Sequence, residues 1–278
     1  MKKVIPTLSC VISSALIMTT FSGCNVTSIP EANSMTKAET DAVEEAEAKS
    51  VKTVDAIFFG NDLQPFTETG KEQEMLDTLW IYYSDGSFEQ FSEVDDGLKL
   101  FSTGSYAFEN EGNFIYDDDE ADHGDITITR TKKYQPGTGL ENYDSTHTYK
   151  LGTLGFDNLY VSEDGGKQVK VLYYGNDKQP YVNTDGSNEM IDTEWIYYTD
   201  GTFEQYAEVN DRIVLFSTGT YELAEGDDFV YEDGKENQCT ITINRDKKYR
   251  AGKGLEEYTS SHTYDLGTLG FDQVLLID

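Results

Sequence analysis

Trp80-Ile81-Tyr82-Tyr83-Ser84-Asp85-Gly86-Ser87-Phe88 decides the fold, and it occurs twice: Trp195-Ile196-Tyr197-Tyr198-Thr199-Asp200-Gly201-Thr202-Phe203 repeats it 115 residues later. An apolar-aromatic run meets Asp-Gly and resumes on Phe, which is how two antiparallel strands joined by a tight loop read. A two-residue loop pairs Ser84 with Ser87. A three-residue loop of Ser84-Asp85-Gly86, with Gly86 in the left-handed bulge position, pairs Tyr83 with Ser87. The second register is preferred, because it sets Trp80, Tyr82 and Phe88 on one face as a core stripe. Ile81, Tyr83, Glu89, Phe91 and Glu93 then turn to the other face.

Outward from this hairpin the same offset of 115 residues holds without a gap, from Val54–Val161 to Val169–Leu276. Leu151-Gly152-Thr153-Leu154-Gly155-Phe156-Asp157 returns as Leu266-Gly267-Thr268-Leu269-Gly270-Phe271-Asp272. A period of this size is a duplicated domain and not a solenoid unit. The boundaries are read as 1–23 (signal segment), 24–52 (tether), 53–163 (repeat 1) and 164–278 (repeat 2). Each repeat is long enough for a core of its own.

Within repeat 1, apolar-aromatic runs broken by Gly, Asn and Asp predict strands near Asp55–Phe59, Thr78–Tyr83, Phe88–Val94, Leu98–Phe108, Asn113–Tyr116, Asp125–Tyr134, His147–Leu151 and Asn158–Val161. Helical periodicity is absent, apart from one turn's worth at Glu72–Leu76. The expectation is an all-β chain of two tandem antiparallel up-and-down β-barrels of about eight short strands each. Two β-sandwiches are the alternative, since both arrangements manage the open edges that invite aggregation.

The Trp80–Phe88 motif, then Gly104-Ser105-Tyr106, then Ile126-Thr127-Ile128, resembles the small lipocalin-like, calycin-type domains of bacterial lipoproteins. Repeat 2 is closer still, with Asp200-Gly201-Thr202-Phe203 and Gly219-Thr220-Tyr221. The glycine-x-tryptophan opening of true lipocalins is missing, because Gly60 is followed by Asn61-Asp62. The resemblance implies a barrel that holds a small apolar or amphipathic ligand.

The N-terminus carries an address. Lys2 and Lys3 precede a mostly apolar run to Phe21, and Phe21-Ser22-Gly23-Cys24 resembles the bacterial lipobox. The resemblance implies lipidation at Cys24, and two or more acyl chains hold a protein stably on a membrane. No later run approaches the ~18 apolar residues of a spanning helix. The expected location is therefore the cell membrane, lipid-anchored and facing outside the cytoplasm. Asn25–Lys52 is rich in Ser, Thr, Ala and Glu and reads as a flexible acidic tether.

With 52 acidic and 21 basic residues the net charge is −31. Such a surface repels phosphate, so nucleic acid is not an expected partner. Once Cys10 leaves with the signal and Cys24 is acylated, only Cys239 remains, and no intramolecular disulfide can form. Its counterpart is Gly124, so Cys239 reads as a small buried apolar residue.

Catalytic chemistry finds little support. His147 and His262 are matched, but no nucleophile motif accompanies them, and they read as structural. Asp117-Asp118-Asp119-Glu120-Ala121-Asp122 lacks the alternating spacing of a calcium loop. No metal, no cofactor and no enzymatic activity is expected. The binding candidates are Arg130, Lys132 and Tyr134, which recur as Arg245, Lys247 and Tyr249; on a regular strand each trio shares one face. That face suits a carboxylate or sulfate, or else it salt-bridges to Glu89 and Glu93. Tyr83 and Tyr198, with Phe91 and Tyr206, are expected as exposed aromatics beside it. The functional expectation is a membrane-anchored, non-catalytic module binding a small molecule or glycan. The alternative is a structural or protein-interaction lipoprotein.

Overall fold

The computed structural model describes residues 52–94, 97–109, 112–115, 124–163, 165–230 and 234–277. The signal segment, Cys24, the tether through residue 51, the acidic stretch Asp117–Asp122 and His123 lie outside the described residues.

The fold is all-β, with two antiparallel seven-stranded sheets, one per repeat. Sheet 1 contains β1 (Val54–Thr67), β2 (Gln73–Tyr83), β3 (Ser87–Glu93), β4 (Leu98–Glu109), β5 (Asp125–Gln135), β6 (Gly139–Lys150) and β7 (Asp157–Val161). Sheet 2 contains β8 (Val169–Val182), β9 (Asn188–Tyr198), β10 (Thr202–Glu208), β11 (Ile213–Leu223), β12 (Thr240–Arg250), β13 (Gly254–Asp265) and β14 (Asp272–Leu276). Six strands meander, and the short seventh returns to pair with the first, giving the order β6-β5-β4-β3-β2-β1-β7 and its twin β13-β12-β11-β10-β9-β8-β14. The expected strand at Asn113–Tyr116 does not form among its described residues; Phe114 instead plugs the core as a loop residue.

The hairpin takes the three-residue loop. Tyr82 pairs with Phe88, Gly86 has φ +79°, and its N–H donates to the Tyr83 carbonyl. Asp85 accepts from the Ser87 N–H at 2.9 Å and from its hydroxyl at 2.5 Å.

Each sheet curls. Arg130 on β5 reaches Trp80 on β2 although β3 and β4 lie between them in the hydrogen-bonding order. Ala56, Phe58, Trp80, Tyr82, Phe88, Ile126 and Ile128 fill the concave face at one end. Phe66, Leu76, Val94 and Phe101, with Tyr134, fill the other. Repeat 2 builds matching clusters, and Cys239 is fully buried in one of them, where burial pushes its thiol up to about 11.

Over Ile57–Phe59 and Leu79–Tyr83, and over the matching parts of β8 and β9, the outer faces are covered as well. Ile57, Phe59, Leu79, Ile81 and Tyr83 pack against Leu172, Ile196 and Tyr198 in a further core that both repeats share. The reading of one separate core per repeat is thus incomplete. Tyr83, expected as an exposed aromatic, is 1% exposed and donates to Glu89 Oε2 at 2.6 Å; Tyr198 does the same with Glu204 at 2.7 Å. Phe91 and Tyr206 pack partly buried against the same core. The cause is visible in the strands themselves: a sheet covered on both faces needs apolar side chains at consecutive positions, and Leu79–Tyr83 is one unbroken buried run.

The contact between the sheets is reciprocal. The Asn61 amide donates to Glu208, and the equivalent Asn176 amide donates to Glu93. Residues i and j of one repeat meet j and i of the other, as across a two-fold axis. Carboxylates crowd this edge of the interface. Burial, with Asp77 and Asp192 nearby, pushes Glu208 up to about 7, and burial beside Asp192 pushes Glu194 well above the usual range.

Candidate functional site

Each repeat carries an aromatic cavity on its concave face. In repeat 1 it measures about 390 Å³, and its walls include Trp80, Tyr82, Arg130, Ser145, Tyr149 and Phe156. In repeat 2 the equivalent cavity measures about 280 Å³ and uses Trp195, Tyr197, Arg245, Tyr264 and Phe271. These volumes are near the lower end of small-ligand sites. A neighbouring cleft of about 470 Å³ holds Tyr181, Phe216, Lys248, Tyr249 and Tyr258. In repeat 1 the corresponding Lys133 and Tyr143 belong to the main cavity.

Local sequence explains how the walls are placed. Trp80 and Tyr82 alternate with Leu79, Ile81 and Tyr83, so period two sends them to the concave face. Their rings stack at 5.9 Å and 9°, and Trp195 and Tyr197 repeat this at 6.0 Å and 11°. Phe156 follows the single helical turn Leu151–Thr153 and lies directly over Gly60. A Cβ at Gly60 would meet that ring at 2.3 Å, and Gly175 stands in the same relation to Phe271. Below the cavity, Gln90 donates to Gln64 at 3.0 Å and accepts from the Ser102 hydroxyl at 2.7 Å; Gln205, Gln179 and Ser217 repeat the network.

Arg130 and Arg245 sit in these cavities. Their guanidinium carbons lie 5.4 and 5.3 Å from the Trp80 and Trp195 ring centres. Such a stack contributes about 0.5–1 kcal/mol when exposed and more when desolvated. The alternative of bridging to Glu89 and Glu93 is not realised. Glu89 accepts from Tyr83 of its own repeat, and Glu93 accepts from Tyr174 and Asn176 of the other. Among the described residues neither arginine has an ion pair.

Lys132 and Lys247 line neither aromatic cavity, which corrects the expectation that they share a face with the arginines. Thr131 has no partner in either ladder: the pairing steps from Arg130 to Lys132 on both sides of β5. This bulge shifts the phase by one residue. It brings Lys133 to the cavity beside Arg130 and leaves Lys132 exposed. Burial and the Arg130 charge hold the Lys133 ammonium below its usual pKa, and burial, Arg245 and Arg250 do so for Lys248. Tyr134 leaves the cavity for the far core cluster against Phe66 and Phe101, while Tyr249 lines the neighbouring cleft of repeat 2. Tyr83 and Tyr198 are in the shared core and take no part.

Four polar atoms are buried without a hydrogen-bond partner at matched positions: Nε1 of Trp80 and Trp195, and Oγ of Ser145 and Ser260. Ser145 and Ser260 pair across the ladder with Arg130 and Arg245. A buried donor without a partner costs about 1–3 kcal/mol, so its recurrence in both repeats asks for an acceptor. His147 is exposed on the rim of the first cavity, and among the described residues no acid or nucleophile is bonded to it.

Comparison with known proteins gives no match: no protein-family model fits the chain, and no curated protein or solved structure is significantly similar to it.

Proposed function

We propose that this protein is a non-catalytic binding module, held outside the cytoplasm by a lipid on Cys24, that takes a small ligand or glycan residue carrying a carboxylate or sulfate in each repeat. The observation that carries this reading is the duplicated cavity, in which a guanidinium over a tryptophan stands beside an unpartnered indole N–H and serine hydroxyl. An anionic group offsets the paired cations, and a flat ring or sugar face lies on Trp80 and Tyr82. We read the curled meander as an incompletely joined lipocalin-like barrel. The up-and-down strand order and the reach of Arg130 across to Trp80 support that reading.

Sulfated and glucuronate-bearing glycans on an array, followed by titration calorimetry, test the proposal. Arg130→Ala with Arg245→Ala should weaken binding roughly 10-fold or more, the scale of a hydrogen bond to a charged group, without unfolding the chain. A wild-type protein that binds none of these probes would favour the second reading, a protein-interaction lipoprotein. Met75 and Met190, exposed at matched positions, support that alternative. The anchor is tested separately. Cys24→Ser should move the protein from the membrane fraction to the medium or leave it as precursor, and mass spectrometry of an unmodified mature N-terminus elsewhere would refute the lipidation.

A further inference from the structure

We propose that Asp77, Glu93 and Asp192, backed by Glu194, bind one Ca²⁺ ion between the two repeats. One carboxylate oxygen from each of Asp77, Glu93 and Asp192 lies within 4.8 Å of the others, and these residues come from β2, β3 and β9. Oxygens bound to one calcium ion at 2.3–2.6 Å lie no more than about 5 Å apart, so a cluster of this size can close on it, whereas magnesium dehydrates reluctantly and is rarely held by an all-protein cage. The donor set is all carboxylate, without histidine or thiolate, which suits a hard cation.

Glu194 supplies the independent observation. It is fully buried, and neither of its carboxylate oxygens has a hydrogen-bond partner. It follows Asp192 by two residues on β9, so both project from the same face toward the other repeat. Its neighbour across the ladder, Tyr174, shares that direction: the Tyr174 hydroxyl lies 3.1 Å from Glu93 and 3.5 Å from Asp192. Among the described residues no Lys or Arg is ion-paired to Asp77, Glu93, Asp192, Glu194 or Glu208. Holding three half-buried carboxylates beside a buried one without a counter-charge is costly, and a divalent ion supplies that charge.

The surroundings are built to hold such donors. Asn176 fixes Glu93 as Asn61 fixes Glu208, and the backbone N–H groups of Asp62 and Asp177 donate to Asp77 and Asp192. Outer partners of this kind orient metal ligands. Two clefts of about 410 and 400 Å³ reach the cluster, one past Asp77 and Glu93 and the other past Asp192 and Glu208.

The test uses the full chain after EDTA treatment. Calorimetry should find one tight Ca²⁺ per chain and weaker binding of Mg²⁺, and the melting temperature should rise with Ca²⁺ concentration. Tb³⁺ should show tyrosine-sensitised emission that Ca²⁺ displaces and that Tyr174→Phe diminishes. Asp77→Asn with Asp192→Asn should lower Ca²⁺ affinity at least ~10-fold, since even outer-shell partners act on that scale. Because these variants relieve repulsion, they should still fold. Glu194→Leu, which installs the residue found at matched position 79, should also weaken binding. An unchanged melting temperature with Ca²⁺ would overturn the proposal. So would a shift that persists in Asp77→Asn/Asp192→Asn, because the ions would then sit on the general acidic surface.

Discussion

At Gly104 the backbone of β4 lies so close to β5 that an added Cβ would stand 1.9 Å from the Thr129 carbonyl oxygen and 2.9 Å from the Arg130 Cα. Gly219 meets Asn244 and Arg245 identically. The contact falls where the ladder steps from Thr103–Lys132 to Gly104–Arg130. The missing side chain therefore lets β5 lean in and carry its arginine over the tryptophan. Gly104→Ala should force the strands apart and lose about 1–3 kcal/mol, the scale of overpacking. Urea unfolding measures that loss, and ligand affinity in repeat 1 should fall with it because Arg130 moves. An unchanged midpoint would mean that β4 gives way freely at this point.

A strand decides which of its residues work together, and β5 shows how one extra residue changes the answer. Strict alternation from Arg130 selects Lys132, whereas the bulge at Thr131 selects Lys133. Lys133→Ala should accordingly weaken binding of an anionic probe in repeat 1, and Lys132→Ala should leave it unchanged by calorimetry. Equal effects would show that the lysines act only through long-range charge. Much of this level was legible beforehand. The hairpin register, the Trp80-Tyr82-Phe88 stripe and the all-β character follow from period two and from Asp-Gly at the turn. Arg130 and Arg245 were legible as matched cations in an acidic chain. Lys133 was not, because a bulge is set by ladder geometry and leaves no mark in the Thr-Lys-Lys triplet. Trp80 and Tyr82 were legible as core but not as cavity wall, since their partners Ser145, Tyr149 and Phe156 lie about 65 or more residues away and converge only when the sheet curls. The burial of Tyr83 is not legible, because alternation along a strand implies one covered face and this run is covered on both.

At the scale of the molecule, the two repeats are bound by an apolar core that either would expose alone. A chain of Gln168–Asp278 would present Leu172, Ile196, Tyr198 and Leu275 to water. Since the contact is reciprocal, this face is nearly self-complementary, and the fragment should associate into dimers as concentration rises. Sedimentation equilibrium would read that association, and a fragment that stays folded and monomeric at high concentration would show the shared core to be dispensable. Such a dimer would not reproduce the intact protein at its centre. Two copies of repeat 2 would bring two Glu194 and two Tyr174 to the contact, whereas in the intact chain repeat 1 carries Leu79 and Phe59 at those matched positions. Any pair of identical subunits must accept every substitution twice at its axis. Covalent fusion of the two halves removes that constraint, so one half was free to acquire a lone buried carboxylate that a symmetric ancestor could only have carried in duplicate.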